Sequence, residues 1–189
     1  EEEYYMKIPE LLAPVGEIDS FYAAVENGAN AVYVGGKQFS ARQYASNLDL
    51  SQLEEIIEYA HLRNIKVYIT LNTLIKNSEI HDLVKYIHEL LLINVDGFII
   101  QDFGIERILK SYFPSAKFHA STQMSAHSTY DVKFLEEAGY KRVVLARELS
   151  LDEIETIKNN TNIELETFIH GALCVSYSGQ CLTSSMIGG

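Results

Sequence analysis

Residues 66–101 decide the fold: an apolar run Lys66-Val-Tyr-Ile-Thr-Leu71, a stripe of Leu83, Tyr86, Ile87, Leu90 and Leu91, and a second apolar run Gly97-Phe-Ile-Ile-Gln101. The two runs are short and rich in β-branched and aromatic side chains, which suit a pleated sheet. The stripe recurs every three or four residues and falls on one face of a helix. Strand, helix, strand is the repeating unit of a parallel sheet covered by helices.

Working outward, the same alternation runs from Pro9 onward. Strands are expected at Leu11–Pro14, Ala31–Val34, Lys66–Leu71, Gly97–Gln101, Lys117–Ala120, Val143–Ala146 and Glu164–Ile169. Leu50, Leu53, Ile56, Ile57 and Ala60 form another apolar helical face. Ser51 with Glu54, and Ser150 with Glu153, have capping-box spacing, and Gly28 and Gly139 stand where helices should stop. Strand starts recur every roughly twenty to thirty-five residues, the rhythm of a (β/α) barrel. No Gly-x-Gly-x-x-Gly follows the first strand, so a dinucleotide-binding sheet loses its main support. The fold class expected is therefore α/β, a (β/α) TIM-like barrel of seven β-α units. An eighth strand is not read before Gly189, so the barrel is expected to be incomplete, its open edges paired between two copies or left beside a disordered tail.

The chain divides into an expected flexible leader over residues 1–8, with Met6 as candidate initiator, and a single domain over 9–189. At 189 residues and 47% hydrophobic, it can bury one substantial core. It has no apolar run long enough for a bilayer and too few cysteines for a disulfide scaffold, so a cytoplasmic location is expected. The net charge of −11 argues against a large nonspecific nucleic-acid surface, though not against a local basic patch.

Reacting groups of such barrels project from the C-terminal strand ends. Polar residues stand there: Asn72 after strand three, Gln101 and Asp102 after strand four, His119 and Gln123 around the end of strand five, Arg147 and Glu148 after strand six, and His170 after strand seven. The only cysteines, Cys174 and Cys181, follow His170 with six residues between them, unlike the Cys-x-x-Cys of zinc ribbons and thioredoxins. His119, Arg147, Glu148 and His170 are the candidate catalytic residues; Asn72, Gln101, Gln123 and Arg42 the candidate substrate contacts; Cys174 and Cys181 the candidate metal ligands. Plainer readings stand beside these. His119 can be a hydrogen-bonded core histidine, Asp102 a helix cap, Arg147 and Glu148 an adjacent pair, and Gly35-Gly36 a turn rather than an anion contact. An inward Glu166 would need a cation such as Arg147 or Arg42.

The run Glu166-x-Phe168-x-x-Gly171-Ala172-Leu173-Cys174-x4-Gly179-x-Cys181-x-x-Ser184 closely resembles the signature of peptidase family U32, the collagenase-like proteins. Glu10-Leu-Leu-Ala-Pro-Val-Gly16, Phe39-Ser-Ala-Arg42, Thr70-Leu-Asn-Thr73, Val95-Asp-Gly, His119-Ala-Ser-Thr-Gln123 and Val144-Leu-Ala-Arg-Glu-Leu-Ser150 look like its other blocks. Thr183 departs from the aliphatic residue usual in the signature. The resemblance implies a barrel and, for several relatives, oxygen-independent hydroxylation of a tRNA wobble uridine, an rRNA cytidine or a quinone precursor. Prephenate is the implied hydroxyl source for the RNA-modifying members. It also implies a [4Fe-4S] cluster on four cysteines, of which Cys174 and Cys181 match the first two and the second pair would lie beyond Gly189. Alone, this chain would hold no cluster, or an adventitious zinc.

Three functions follow: an RNA-modifying redox enzyme, in which Arg147, His119 and Asn72 hold an anionic small molecule; a protease; and a noncatalytic accessory protein. The protease reading lacks His-Glu-x-x-His and Gly-x-Ser-x-Gly. Its remaining form pairs Cys174 with His170, which needs a helical turn between them. RNA contacts are expected mainly outside this acidic segment.

Overall fold

A computed structural model describes residues 8–36, 38–40, 48–171 and 174–181. Among the described residues seven strands alternate with six α-helices: β1 (Leu12–Val15), α1 (Ile18–Glu26), β2 (Ala31–Gly35), α2 (Leu50–His61), β3 (Lys66–Leu71), α3 (Ile80–Leu92), β4 (Gly97–Ile100), α4 (Phe103–Tyr112), β5 (Phe118–Ala120), α5 (Thr129–Ala138), β6 (Arg142–Val144), α6 (Leu151–Asn160) and β7 (Glu164–Glu166). Every strand pairs in parallel with the next, in the order β1-β2-β3-β4-β5-β6-β7. A doubly wound sheet reverses direction partway; a sheet that only ever adds on one side, with its own twist, curls toward a barrel. The result is a half-barrel.

Alternation along the strands sorts the two faces. Val32, Val34, Val67, Ile69, Phe98, Ile100, Phe118 and Val143 point outward into the main core, against Leu53, Ile56 and Ile57 of α2 and Leu83, Ile87 and Leu90 of α3. The concave face carries a second, smaller apolar cluster of Ala31, Tyr68 and Ile99 with Leu12 and Tyr33. Beside it on that face stand His119, Arg142 and Glu166, so the half-barrel has an apolar wall and a polar one.

The helix signals hold with one correction. Ser150 and Glu153 form the capping box of α6, and Gly139 ends α5 at φ 92°. Gly28 follows α1 at φ 90°. The cap of α2 is Asp49 rather than Ser51: the Gln52 amide donates to the Asp49 carboxylate at 3.0 Å and the Asp49 amide to the Gln52 carboxamide at 3.0 Å. Asp49 is the last extended residue before the helix, and Ser51 lies inside it, where its hydroxyl donates to Asp49 at 2.7 Å. The leader expected over residues 1–8 lies, apart from exposed Ile8, outside the described residues. No helix among the described residues is long and apolar enough to cross a membrane.

Candidate functional site: a cysteine loop docked on the barrel mouth

The loops at the C-terminal strand ends are tied to one another. Thr70 and Ser40 share a buried hydrogen bond of 3.1 Å, and the Thr73 hydroxyl donates to the Phe39 carbonyl at 3.1 Å, so the β2 loop lies across the end of β3. Asp102 caps α4 by accepting from the Gly104 and Ile105 amides at 2.8 and 3.1 Å, and its second oxygen accepts from Ile75 at 3.2 Å. The capping reading of Asp102 is therefore correct. Between these loops opens a shallow cleft of about 410 Å³, with Gln101, Gln123 and Gln180 among its polar residues and Leu74, Phe103 and Met124 among its apolar ones.

The cysteine loop crosses this mouth. Cys174, Val175, Tyr177 and Cys181 are exposed, yet Ser178 between the thiols has no exposed surface. Its amide and hydroxyl donate to the Glu148 carboxylate at 2.9 and 3.3 Å. The Arg147 amide and guanidinium donate to the same hydroxyl at 3.1 and 3.4 Å. The Ser125 hydroxyl donates to the Ser178 carbonyl at 2.6 Å, and the Gln180 carboxamide to the Ser125 hydroxyl at 3.2 Å. Gly179 follows at φ 80°, against the Gln123 carbonyl. Desolvation raises the Glu148 carboxyl, but hydrogen bonds from its own amide and from Ser178, together with Arg147, outweigh it and hold the group below its ordinary range.

Inside the barrel, toward the N-terminal strand ends, Arg142 is the hub. Its guanidinium donates to Glu164 at 2.8 and 3.0 Å, to Glu10 at 2.8 Å and to Glu166 at 3.4 Å. Glu10 also accepts from Lys66 at 2.6 Å, so one carboxylate preceding β1 reaches both β3 and β6 across the concave face. Burial raises the Glu166 carboxyl above its ordinary value in spite of Arg142. Burial also acts on Glu10, but bonds from Lys66 and Arg142 prevail and lower it. His119 packs edge-on against Tyr68 at 4.7 Å, is 3% exposed, and has no hydrogen-bond partner at Nδ1 among the described residues. Burial first and the Arg142 charge second push its pKa down to about 4, so it is neutral near pH 7.

The sequence-predicted residues thus separate. Gln101 and Gln123 meet at the cleft; Arg147 and Glu148 meet at Ser178; His119 sits on the concave face with the Arg142 network. Asn72 is half-buried just past β3, and His170 is exposed. Arg42 lies outside the described residues, as do residues 172 and 173 of the turn that would join His170 to Cys174. Glu166 does have its cation, but it is Arg142. The expected strand six, beginning at Val143, left this residue in a loop; one residue more of strand, with period-two alternation, puts it inside. Gly36 makes room for a neighbour: a side chain there would collide with the Tyr86 hydroxyl. Ser125 and Ser178 carried no local signal, because their roles exist only once residues more than fifty apart have met.

A four-thiolate cluster finds half its ligands here. Among the described residues no group of three or more His, Cys, Asp or Glu side chains could hold an ion. The residues present do not complete such a group.

Fold and site define a (β/α) barrel protein with a cysteine pair on a loop seated over the barrel mouth. The description Peptidase family U32 matches residues 16–189, and the chain belongs to that family. It is 42% identical over 175 residues to the 23S rRNA 5-hydroxycytidine synthase of Escherichia coli (strain K12), covering 93% of this chain and 26% of that protein. It is 40% identical over 179 residues to tRNA hydroxylation protein P1 of Bacillus subtilis (strain 168), covering 95% and 42% respectively. The chain therefore spans less than half the length of either relative. Among solved structures, the U32 peptidase Mk0906 superposes with a TM-score of 0.70 at 14% identity, over 85% of this chain and 68% of that one, a likeness of fold.

Proposed function

We propose that this chain belongs to a protein that hydroxylates an RNA base, a tRNA wobble uridine or an rRNA cytidine, without molecular oxygen. The observation that carries the reading is the exposed thiol pair on a loop anchored beside the cleft by a buried serine, in a chain 40–42% identical to proteins named for RNA hydroxylation. A thiol pair on a loop at the barrel mouth, where strand-end residues converge, would suit redox chemistry on a substrate bound nearby. The Gln101 and Gln123 carboxamides each offer a donor and an acceptor for the edge of a base, and Phe103 and Leu74 an apolar surface for its face.

The rest of the reading follows the family. Cys174 and Cys181 would supply two of the thiolates of a [4Fe-4S] cluster, whose chemistry is electron transfer, and the whole protein would supply the others. Prephenate would be the hydroxyl donor and the cytoplasm the compartment. The sheet edges at β1 and β7 would be covered by the remainder of the protein or by a second copy.

The test is nucleoside mass spectrometry of tRNA and rRNA from the source organism with and without the gene. Loss of one hydroxylated nucleoside, restored by the full-length gene, supports the reading. Unchanged RNA together with peptide hydrolysis by the purified full-length protein would replace it with the peptidase reading.

A further inference from the structure

We propose that Glu148 and Ser178 form a latch that presents the two thiols at the barrel mouth, and that Glu148 is a positioning residue acting through Ser178 rather than a proton carrier. This deepens the reading above and rests on it for the thiols' role in the reaction, but not for the docking itself. Three independent features converge on the latch. Ser178 is fully buried in a loop whose neighbours Val175, Tyr177 and Cys181 are exposed, so one side chain anchors the segment. Each of its polar atoms has a partner: amide and hydroxyl on Glu148, the hydroxyl oxygen facing the Arg147 amide, the carbonyl on Ser125. The backbone is shaped to allow it, since Gly179 at φ 80° passes where a Cβ would lie 2.5 Å from the Gln123 carbonyl, and Ser125 is left-handed at φ 54°.

The carboxylate oxygen is used as an acceptor in both bonds from Ser178, and a glutamine Oε1 can accept both. Glu148→Gln should therefore preserve the latch, whereas Glu148→Ala leaves the Ser178 amide without its acceptor. A general acid or base at this position would instead be disabled equally by either change.

In this chain Cys174 and Cys181 are the only thiols, so their pairing can be read directly. A docked loop has already lost the conformational freedom that a shared metal ion would otherwise have to remove. Titration with Cd²⁺, followed by thiolate-to-metal absorbance, should give Glu148→Ala an affinity about tenfold below wild type, and Glu148→Gln one within about twofold. Amide hydrogen exchange at Ser178 supplies the second readout: accelerated in Glu148→Ala, unchanged in Glu148→Gln, with core amides of β3 and β4 unchanged in both. Should Glu148→Ala fail to fold, Ser178→Ala removes the hydroxyl alone and should weaken Cd²⁺ binding in the same direction. The proposal is overturned if the alanine variants bind Cd²⁺ as tightly as wild type or more tightly, or if Glu148→Gln behaves as Glu148→Ala. RNA takes no part in these readouts, so a working latch with unchanged RNA would reject the functional reading alone.

Discussion

Replacing Arg142 by alanine should cost more stability than any surface charge in the molecule, and the cost should depend on pH. Arg142 is 9% exposed at its side chain and faces Glu10 and Glu166 at 22% and 18%, with Glu164 at 66%. The Glu164 contact is solvated and contributes under about 1 kcal/mol. The other two carboxylates would be left inside the barrel, Glu10 with Lys66 and Glu166 with no second ion pair among the described residues. Removing one member of a buried pair typically costs about 3–5 kcal/mol, and partial exposure here places the expectation near 3. Glu166 already titrates above its ordinary 4.5 in the intact protein, and without Arg142 it rises further. A carboxyl raised in the folded state favours folding fully below its unfolded pKa and loses that contribution as pH rises through the folded one. The deficit of the variant should therefore be largest near neutral pH and shrink in acid as Glu166 takes up a proton. Urea unfolding near neutral pH and again in mild acid measures it. A deficit under about 1 kcal/mol near neutrality, or the same deficit at both pH values, would refute the assignment of Arg142 as the counter-ion of a buried carboxylate.

His119 should make the wild type acid-sensitive: its folded pKa of about 4 lies below the ordinary histidine value of 6.5, so it stays neutral while the unfolded chain protonates. The stability it permits is complete above about pH 6.5 and lost as pH falls toward 4, and His119→Gln should flatten that part of a stability–pH curve. Gly36→Ala drives a methyl into the Tyr86 hydroxyl and should lower thermal stability by about 1–3 kcal/mol, recovered in large part by adding Tyr86→Phe, which removes the obstructing oxygen; no recovery would mean the backbone itself is at fault. Asp102→Ala removes the α4 cap and the tie to Ile75, a loss of about 1–2 kcal/mol by denaturant titration, while Asp102→Asn should lose less.

The seven strands were legible because each is a run of β-branched or aromatic residues between turn residues, and the barrel because their spacing is even. Local periodicity could not fix strand ends. Arg142 and Glu166 belong together only when β6 begins one residue earlier than its apolar run, and β7 stops at Glu166 rather than continuing to Ile169 because its partner β6 ends at Val144, which pairs with Glu166. The helix caps were legible where the capping residue is the last extended one, as at Ser150, and misplaced at α2, where Asp49 and Ser51 both carry a suitable oxygen and only backbone conformation decides between them. At the mouth, residue types announced polarity but not roles. Arg147 and Glu148 read as an adjacent pair or as catalytic groups, whereas their contacts go to Ser178, thirty residues on, and that partner has no signature beyond lying between two cysteines. The Cys-x6-Cys spacing itself was uninformative; the surrounding blocks identified the family, and the structure supplied the reason the loop is where it is.

The most direct test of the account is to complement a strain lacking the gene with full-length alleles carrying Cys174→Ser, Cys181→Ser or Glu148→Gln, and to measure the hydroxylated nucleoside in its RNA by mass spectrometry. Both serine alleles should leave the nucleoside absent while Glu148→Gln restores it. Hydroxylated nucleoside at wild-type level in both serine alleles would contradict the claim that this cysteine loop is the working part of the site.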